Sequence, residues 1–77
     1  MKLVEAIGKR INNLLEERKW TQYELSKQSG IPRPTINLIV RCLRNTVTID
    51  TVYQIAATMG ISLKEFFNDP IFDEVTD

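Results

Sequence analysis

Several residue types that enzymes and metal proteins rely on are missing or rare in this chain. Its 77 residues include no histidine and one cysteine, Cys42. A single cysteine excludes an internal disulfide, so nothing indicates an oxidising compartment. With no cluster of ligands at metal-binding spacing, we expect no metal and no cofactor. A glycine-rich phosphate loop and an evident carboxylate pair are also missing, so we do not expect an enzyme.

The chain also lacks a long apolar run. We therefore expect no signal peptide and no membrane association, and a cytoplasmic protein of bacterial or phage origin. Its length suits one domain rather than two. A chain this short leaves no room for a separate sensing domain, so we expect no small-molecule ligand.

The charges are balanced in number but separated along the chain. Ten basic and ten acidic residues give a formal net charge of zero. Residues 18–45 contain six basic residues and one acid, a net charge of +5, whereas residues 65–77 contain five acids and no base. A local basic segment of this kind can attract a phosphate backbone, although it can equally be a solvated face.

Apolar residues recur at helical spacing through most of the chain, as at Ile7, Ile11 and Leu14. An all-α fold follows, because a possible strand at 47–52 has no partner. The predicted helices are 3–18, 22–29, 33–42, 49–59 and a short fifth helix, capped by Ser62, that runs through Phe67. The Asn68-Asp69-Pro70 sequence then separates a domain at 1–68 from a short acidic C-terminal tail at 69–77.

The segment 21–40 has the local signals of two helices joined by a tight turn. Thr21 and Glu24 match a capping box, and Gly30 can take the left-handed conformation that ends a helix. Pro32 and Pro34 suit the start of the next helix, where amide protons lack partners. Small Ser26 lets the two helices approach. Apolar residues below them complete the spacing of a helix-turn-helix, namely Leu25, Ile31, Ile36 and Ile39.

The sequence "TQYELSKQSGIPRPTINLIVR" also resembles the Xre group of phage-repressor and Cro-like DNA-binding domains. The flanking "AIGKRINNLLEERKW" and "TIDTVYQIAATMGISLKEFF" resemble the helices on either side of that motif, so the similarity covers residues 5–68. It implies a compact five-helix bundle of the lambda-repressor type, with helices 2 and 3 forming the helix-turn-helix.

The resemblance implies two groups of DNA-contacting residues. Base-facing positions are Arg33, Pro34, Asn37 and Leu38. Phosphate-backbone positions are Thr21, Gln22, Thr35, Arg41 and Arg44. Five of these residues have an alternative role: Gln22, Arg33 and Asn37 could be plain surface residues, Thr35 a local cap, and Leu38 a core or dimer contact. Trp20 and Tyr23 could be base-stacking aromatics, but an aromatic residue beside a helix start is more often used for packing, so we assign both to packing and Phe66 and Phe67 to the core.

The chain departs from the family pattern at the two ends of the third helix. Pro32 replaces a serine that would cap the helix, and Cys42 replaces a glycine that would end it. Thr46-Val47 stand where asparagine-proline is usual. Because cysteine does not end a helix as easily as glycine, we expect the third helix to run longer or Cys42 to be strained. We expect an inert thiol rather than a redox switch.

These features favour a sequence-specific regulator of transcription that binds double-stranded DNA and acts by operator occupancy. Since one recognition helix contacts few base pairs, we expect a homodimer on a palindromic operator. The dimer surface could include the fourth and fifth helices, or the apolar tail residues Ile71, Phe72 and Val75, which could instead fold onto their own core. The alternative is a protein-interaction module on the same fold, such as an antitoxin or anti-repressor.

Overall fold

The computed structural model describes residues 1–76, and Asp77 lies outside them. The chain folds into α1 (Leu3–Arg18), α2 (Gln22–Ser29), α3 (Arg33–Val40), α4 (Ile49–Thr58), α5 (Leu63–Phe67) and a 3-10 helix (Pro70–Glu74). The all-α prediction is confirmed. The alternative of a strand at 47–52 is wrong, because α4 begins at Ile49.

Side-chain oxygens cap the starts of three helices. The hydroxyl of Thr21 accepts a hydrogen bond from the amide of Glu24 at 3.1 Å, and Thr48 and Ser62 cap α4 and α5 in the same way. Of the predicted capping box at α2, the bond from the amide of Glu24 to Thr21 is confirmed, and the return bond from Thr21 to the Glu24 carboxylate is not. The carboxylate of Glu24 accepts a hydrogen bond from Gln28 one turn later, at 2.7 Å, and so supports the helix side rather than its first amide.

Four helices end at a left-handed residue, and Gly30 after α2 is one of them. The other three share one hydrogen-bond pattern, and only one of their left-handed residues is glycine. Lys19, Cys42 and Gly60 follow α1, α3 and α4 with φ values of 59°, 60° and 75°. In each case the next amide bonds to a carbonyl five residues back, the arrangement of a Schellman motif. These bonds run from Trp20 to Leu15, from Leu43 to Leu38 and from Ile61 to Ala56, at 2.9–3.0 Å.

The hydrophobic core draws on all five helices. The helical spacing of the fourth predicted helix places Val52, Ile55, Ala56 and Met59 inward, and all four are buried. Ile36 and Ile39 of α3 are buried as well. Phe66 from α5 is fully buried, as expected. The rest of the buried apolar cluster comes from α1, α2 and the turn after α2, at Ile7, Ile11, Leu14, Leu15, Leu25 and Ile31. Burial of this cluster is the main favourable contribution to folding.

Gly8 permits a backbone-to-backbone contact between α1 and α3. A Cβ atom at this position would lie 2.4 Å from the carbonyl oxygen of Ile39 and 3.1 Å from Sγ of Cys42. Real Cβ atoms do not approach a backbone oxygen so closely, so any other residue would push the two helices apart. Helix α3 is therefore held against α1 at a distance that only glycine allows.

The chain beyond α5 is tied to α1 by Arg10. Its guanidinium donates to the carbonyls of Phe66 and Glu65 at 2.8 and 3.0 Å and forms a salt bridge with Asp69 at 3.2 Å. The ring of Phe72 packs 4.9 Å from that of Phe67, centroid to centroid. Phe72 thus folds back onto its own core, one of the two arrangements expected for the tail.

We expect Gly8→Ala to lower the free energy of unfolding by about 2–3 kcal/mol, because the new methyl group overpacks the contact between α1 and α3. Urea denaturation followed by circular dichroism measures the change. Lys9→Ala, at an exposed position one residue along the same helix, serves as the control and should be close to neutral. A Gly8→Ala protein as stable as the wild type would show that the two helices do not meet as described.

Candidate nucleic-acid interface

The turn between α2 and α3 is held by side-chain as well as backbone hydrogen bonds. The hydroxyl of Ser26 donates to the carbonyl of Ile31 at 2.6 Å, and the amide of Ile31 donates to the hydroxyl of Ser29 at 3.1 Å. Gly30 takes the left-handed conformation, with a φ of 78°. The small size of Ser26 lets α2 and α3 approach each other, as the sequence predicts. Its hydroxyl also fixes the angle at which α3 leaves the turn.

Proline residues begin α3. Pro32 precedes the helix with φ −57° and ψ 138°, and Pro34 is its second residue. Neither position needs an amide hydrogen, so both prolines are accommodated without loss of a helical bond. Proline also restricts the backbone around Arg33, which starts the helix. The prediction of a proline-stiffened helix start at Arg33 is confirmed.

One face of α3 is buried and the opposite face is open. Ile36 and Ile39 are buried, whereas Arg33, Pro34 and Leu38 are exposed. Leu38 retains 38% of its surface, so its alternative role as a core residue is wrong. A cavity of about 530 Å³ lies over the open face, lined by Gln22, Arg33, Pro34 and Asn37. Three of the four predicted base-facing residues, with Gln22, therefore surround one cavity, and Leu38 is exposed on the same helix.

A hydrogen bond joins the two helices at this cavity. Nδ2 of Asn37 donates to Oε1 of Gln22 at 3.2 Å. Gln22 is the first residue of α2, and Asn37 lies one turn into α3. Both side chains are half-buried. Asn37 is consequently a positioned side chain, and its alternative as an inert surface residue does not fit this contact.

The predicted phosphate-contacting residues are spread more widely. Arg41 and Arg44 are exposed beyond the end of α3, and Arg44 lines a separate cavity of about 450 Å³ with Lys2 and Asn45. The hydroxyl of Thr21 already caps α2, and Thr35 is half-buried. The structure thus brings Gln22 to the base-facing group and leaves Arg44 at a different cavity.

The basic residues of α3 and the following loop are not neutralised within the described part of the chain. Among residues 1–76, none of Arg33, Arg41 and Arg44 takes part in a salt bridge, and the ion pair present joins Arg10 to Asp69. Uncompensated guanidinium groups on an exposed face attract an anionic partner. This face can therefore donate hydrogen bonds and supply positive charge to phosphate groups.

Two further residues near the face are not among the predicted DNA contacts. Tyr23 and Lys27 line a cavity of about 360 Å³ with Ser26 and Arg33. The expectation that Tyr23 packs inside is wrong, since 53% of its surface is exposed, whereas Trp20 does pack against the core. The signal was available, because Tyr23 and Lys27 are four residues apart and so share one side of α2.

The conformation of Cys42 shows how α3 ends without the glycine that the family pattern has at this position. The helix ends at Val40, two residues before the predicted end, and Cys42 takes the left-handed conformation that glycine usually fills. Its side chain is half-buried, with Sγ 3.8 Å from the carbonyl oxygen of Glu5. Of the two expected outcomes, a longer helix is wrong and strain at Cys42 is confirmed. The turn places Arg44 and Asn45 directly after the recognition helix.

Residues 1–76 hold no group of three or more histidine, cysteine, aspartate or glutamate residues placed to bind a metal ion. No helix in the same part of the chain is long and apolar enough to cross a membrane.

A short steep turn between two helices, the second of which presents an open basic face, defines a helix-turn-helix protein. Residues 10–70 match the model of the Cro/C1-type HTH DNA-binding domain, which covers most of the chain. The chain belongs to this family of DNA-binding domains.

A solved structure supports the same fold. The crystal structure of the prophage Lp1 protein 11 is similar to this chain with a TM-score of 0.82 and 26% sequence identity, covering 97% of this chain and 100% of that one. No match was found among curated proteins. Similarity over nearly the full length of both chains confirms the helix-turn-helix bundle.

We expect Cys42→Val to destabilise the fold clearly more than Cys42→Gly does. Valine is β-branched and should lose about 2 kcal/mol in the left-handed conformation. Glycine removes the strain but also the thiol contact, so the change should stay within about 1 kcal/mol. Thermal unfolding of both variants measures the difference. Equal stability of the two variants would contradict the left-handed turn.

Proposed function

We propose that the protein is a sequence-specific regulator of transcription that binds double-stranded DNA and acts by occupying its operator. The observation that supports this function best is the open face of α3, where Arg33 has no salt-bridge partner within residues 1–76. Membership of the Cro/C1-type family adds independent support. A helix of this kind fits the major groove, where base edges carry a distinct hydrogen-bond pattern.

Each predicted contact has a specific role in this proposal. Arg33 donates two hydrogen bonds to a guanine, and Leu38 contacts a thymine methyl group. Pro34 lies beside them and restricts the helix start. Gln22 donates to a phosphate from the first turn of α2, where the helix dipole also favours an anion. Thr21, Thr35, Arg41 and Arg44 supply further backbone contacts, which position the protein without selecting a sequence.

A homodimer on a palindromic operator completes the proposal. Half-sites would then be separated by about 34 Å, one turn of DNA. Phe72 packs on its own core, which makes the tail a poor dimer surface. Two large apolar side chains of α4, Ile49 and Tyr53, are instead 57% and 58% exposed. They favour α4 as the dimer contact.

The same exposed residues support a second candidate function. A partner protein could use Ile49 and Tyr53 of α4, and the chain would then be a protein-interaction module such as an antitoxin or anti-repressor. Absence of binding to any duplex at low salt would favour this module over the regulator.

We expect binding to random duplex DNA to weaken steeply as salt increases. Each phosphate contact contributes a slope of about −0.9 in a plot of log K against log salt concentration. Arg41→Ala should therefore reduce the slope by about one contact. Fluorescence anisotropy on labelled duplex measures it. Lys64→Ala, an exposed residue on α5, is a charge-matched control and should leave the slope unchanged. An unchanged slope in Arg41→Ala would show that Arg41 does not contact a phosphate.

Selection of binding sites from random DNA should return a palindrome, as a homodimer requires. In the same assay Arg33→Ala should relax preference at one base position in each half-site, because about 1–3 kcal/mol of discrimination comes from a bidentate arginine–guanine contact. Gln22→Ala should weaken all sites alike. If both variants lose affinity equally for every sequence, Arg33 does not contact a base.

A further inference from the structure

We propose that Asn37 is a positioning residue for the phosphate contact of Gln22, so that the recognition helix controls a contact made by the preceding helix. This inference rests on the proposed DNA-binding function. It gives Asn37 a role through Gln22 rather than a base contact of its own.

The geometry links the two residues directly. Nδ2 of Asn37 lies 3.2 Å from Oε1 of Gln22, and the two residues are fifteen positions apart in the chain. Both line the cavity over α3. Being half-buried, they are less free to exchange this bond for water than exposed side chains are.

The chemistry of the glutamine amide explains why the bond matters. Its oxygen only accepts hydrogen bonds, and its nitrogen only donates them. A phosphate accepts hydrogen bonds, so Gln22 can bind it only with the nitrogen facing outward. Asn37 donates to the oxygen and thereby turns Nε2 away from itself. An amide rotated by half a turn would present its oxygen to the phosphate and repel it.

The arrangement also limits what Asn37 can do at a base. A bidentate contact to adenine needs both the donor and the acceptor of the asparagine amide. The bond to Gln22 engages one of the two hydrogens on Nδ2, so Asn37 can contact a base only with the other hydrogen and Oδ1, in the orientation that this bond holds. If Asn37 acts mainly through Gln22, its removal affects all sequences alike, whereas an independent base contact affects one position.

A double-mutant cycle on the full chain tests the inference, with fluorescence anisotropy on a selected duplex and on duplexes changed at each base position. Loss of one hydrogen bond to a charged group lowers affinity about tenfold, so we expect Gln22→Ala to bind about tenfold more weakly. Asn37→Ala should lose about three- to tenfold on every duplex alike. The double variant should be no weaker than Gln22→Ala alone, because Asn37 has nothing left to orient.

The controls separate this inference from the proposed function. Gln28→Ala removes the same side chain from the other end of α2, where it bonds to Glu24, and should bind as the wild type does. Thermal unfolding shows whether each variant is folded under the assay conditions. The positioning role would be overturned if the double variant lost affinity by the product of the two single losses. It would also be overturned if Asn37→Ala lost affinity only when one base position is changed. Failure of the wild type to bind any duplex would instead overturn the proposed function.

Discussion

The contact between α1 and α3 at Gly8 is the constraint on which the rest of the molecule depends. At this point backbone meets backbone, with no side chain between them. Ile36 and Ile39 are buried on the side of α3 that faces the core, and their burial leaves the opposite side of α3 open to solvent. One glycine far from the interface in sequence therefore sets how far the recognition helix stands out from the bundle.

The two ends of α3 differ in how they could contribute to binding: the turn before it is rigid, and the segment after it carries exposed charges. The turn before α3 is fixed by the bonds of Ser26 and Ser29 and by two prolines, so little freedom remains at Arg33. A side chain presented on such a backbone loses less entropy when it binds. The exposed charges of Arg41 and Arg44 come after the helix, where contacts to phosphate tolerate variation in geometry.

Helix positions and core residues could be predicted from the sequence because they depend on local spacing. Caps at Thr21, Thr48 and Ser62 and the apolar stripes of α3 and α4 all follow from patterns within a few residues. The end of α3 was harder to predict: a left-handed cysteine is uncommon, and only the contact with α1 shows how it is accommodated. The bond between Gln22 and Asn37 spans fifteen residues, so no local pattern reveals it. The prediction for Tyr23 is wrong for a different reason. Aromatic residues generally pack in the core, but Tyr23 lies on the exposed side of α2.

The anchor made by Arg10 has a consequence for how the molecule approaches its partner. By bonding to two carbonyls and to Asp69, it holds the start of the acidic segment against α1 rather than leaving it free to move. The start of the acidic segment is thereby held in place in the folded chain, and a fixed separation of opposite charges carries an electric dipole. In the field of a polyanion such a dipole experiences a torque, so the protein is turned before it makes contact. A neutral protein can in this way favour productive encounters without a net charge that would hold it on every polyanion in the cell.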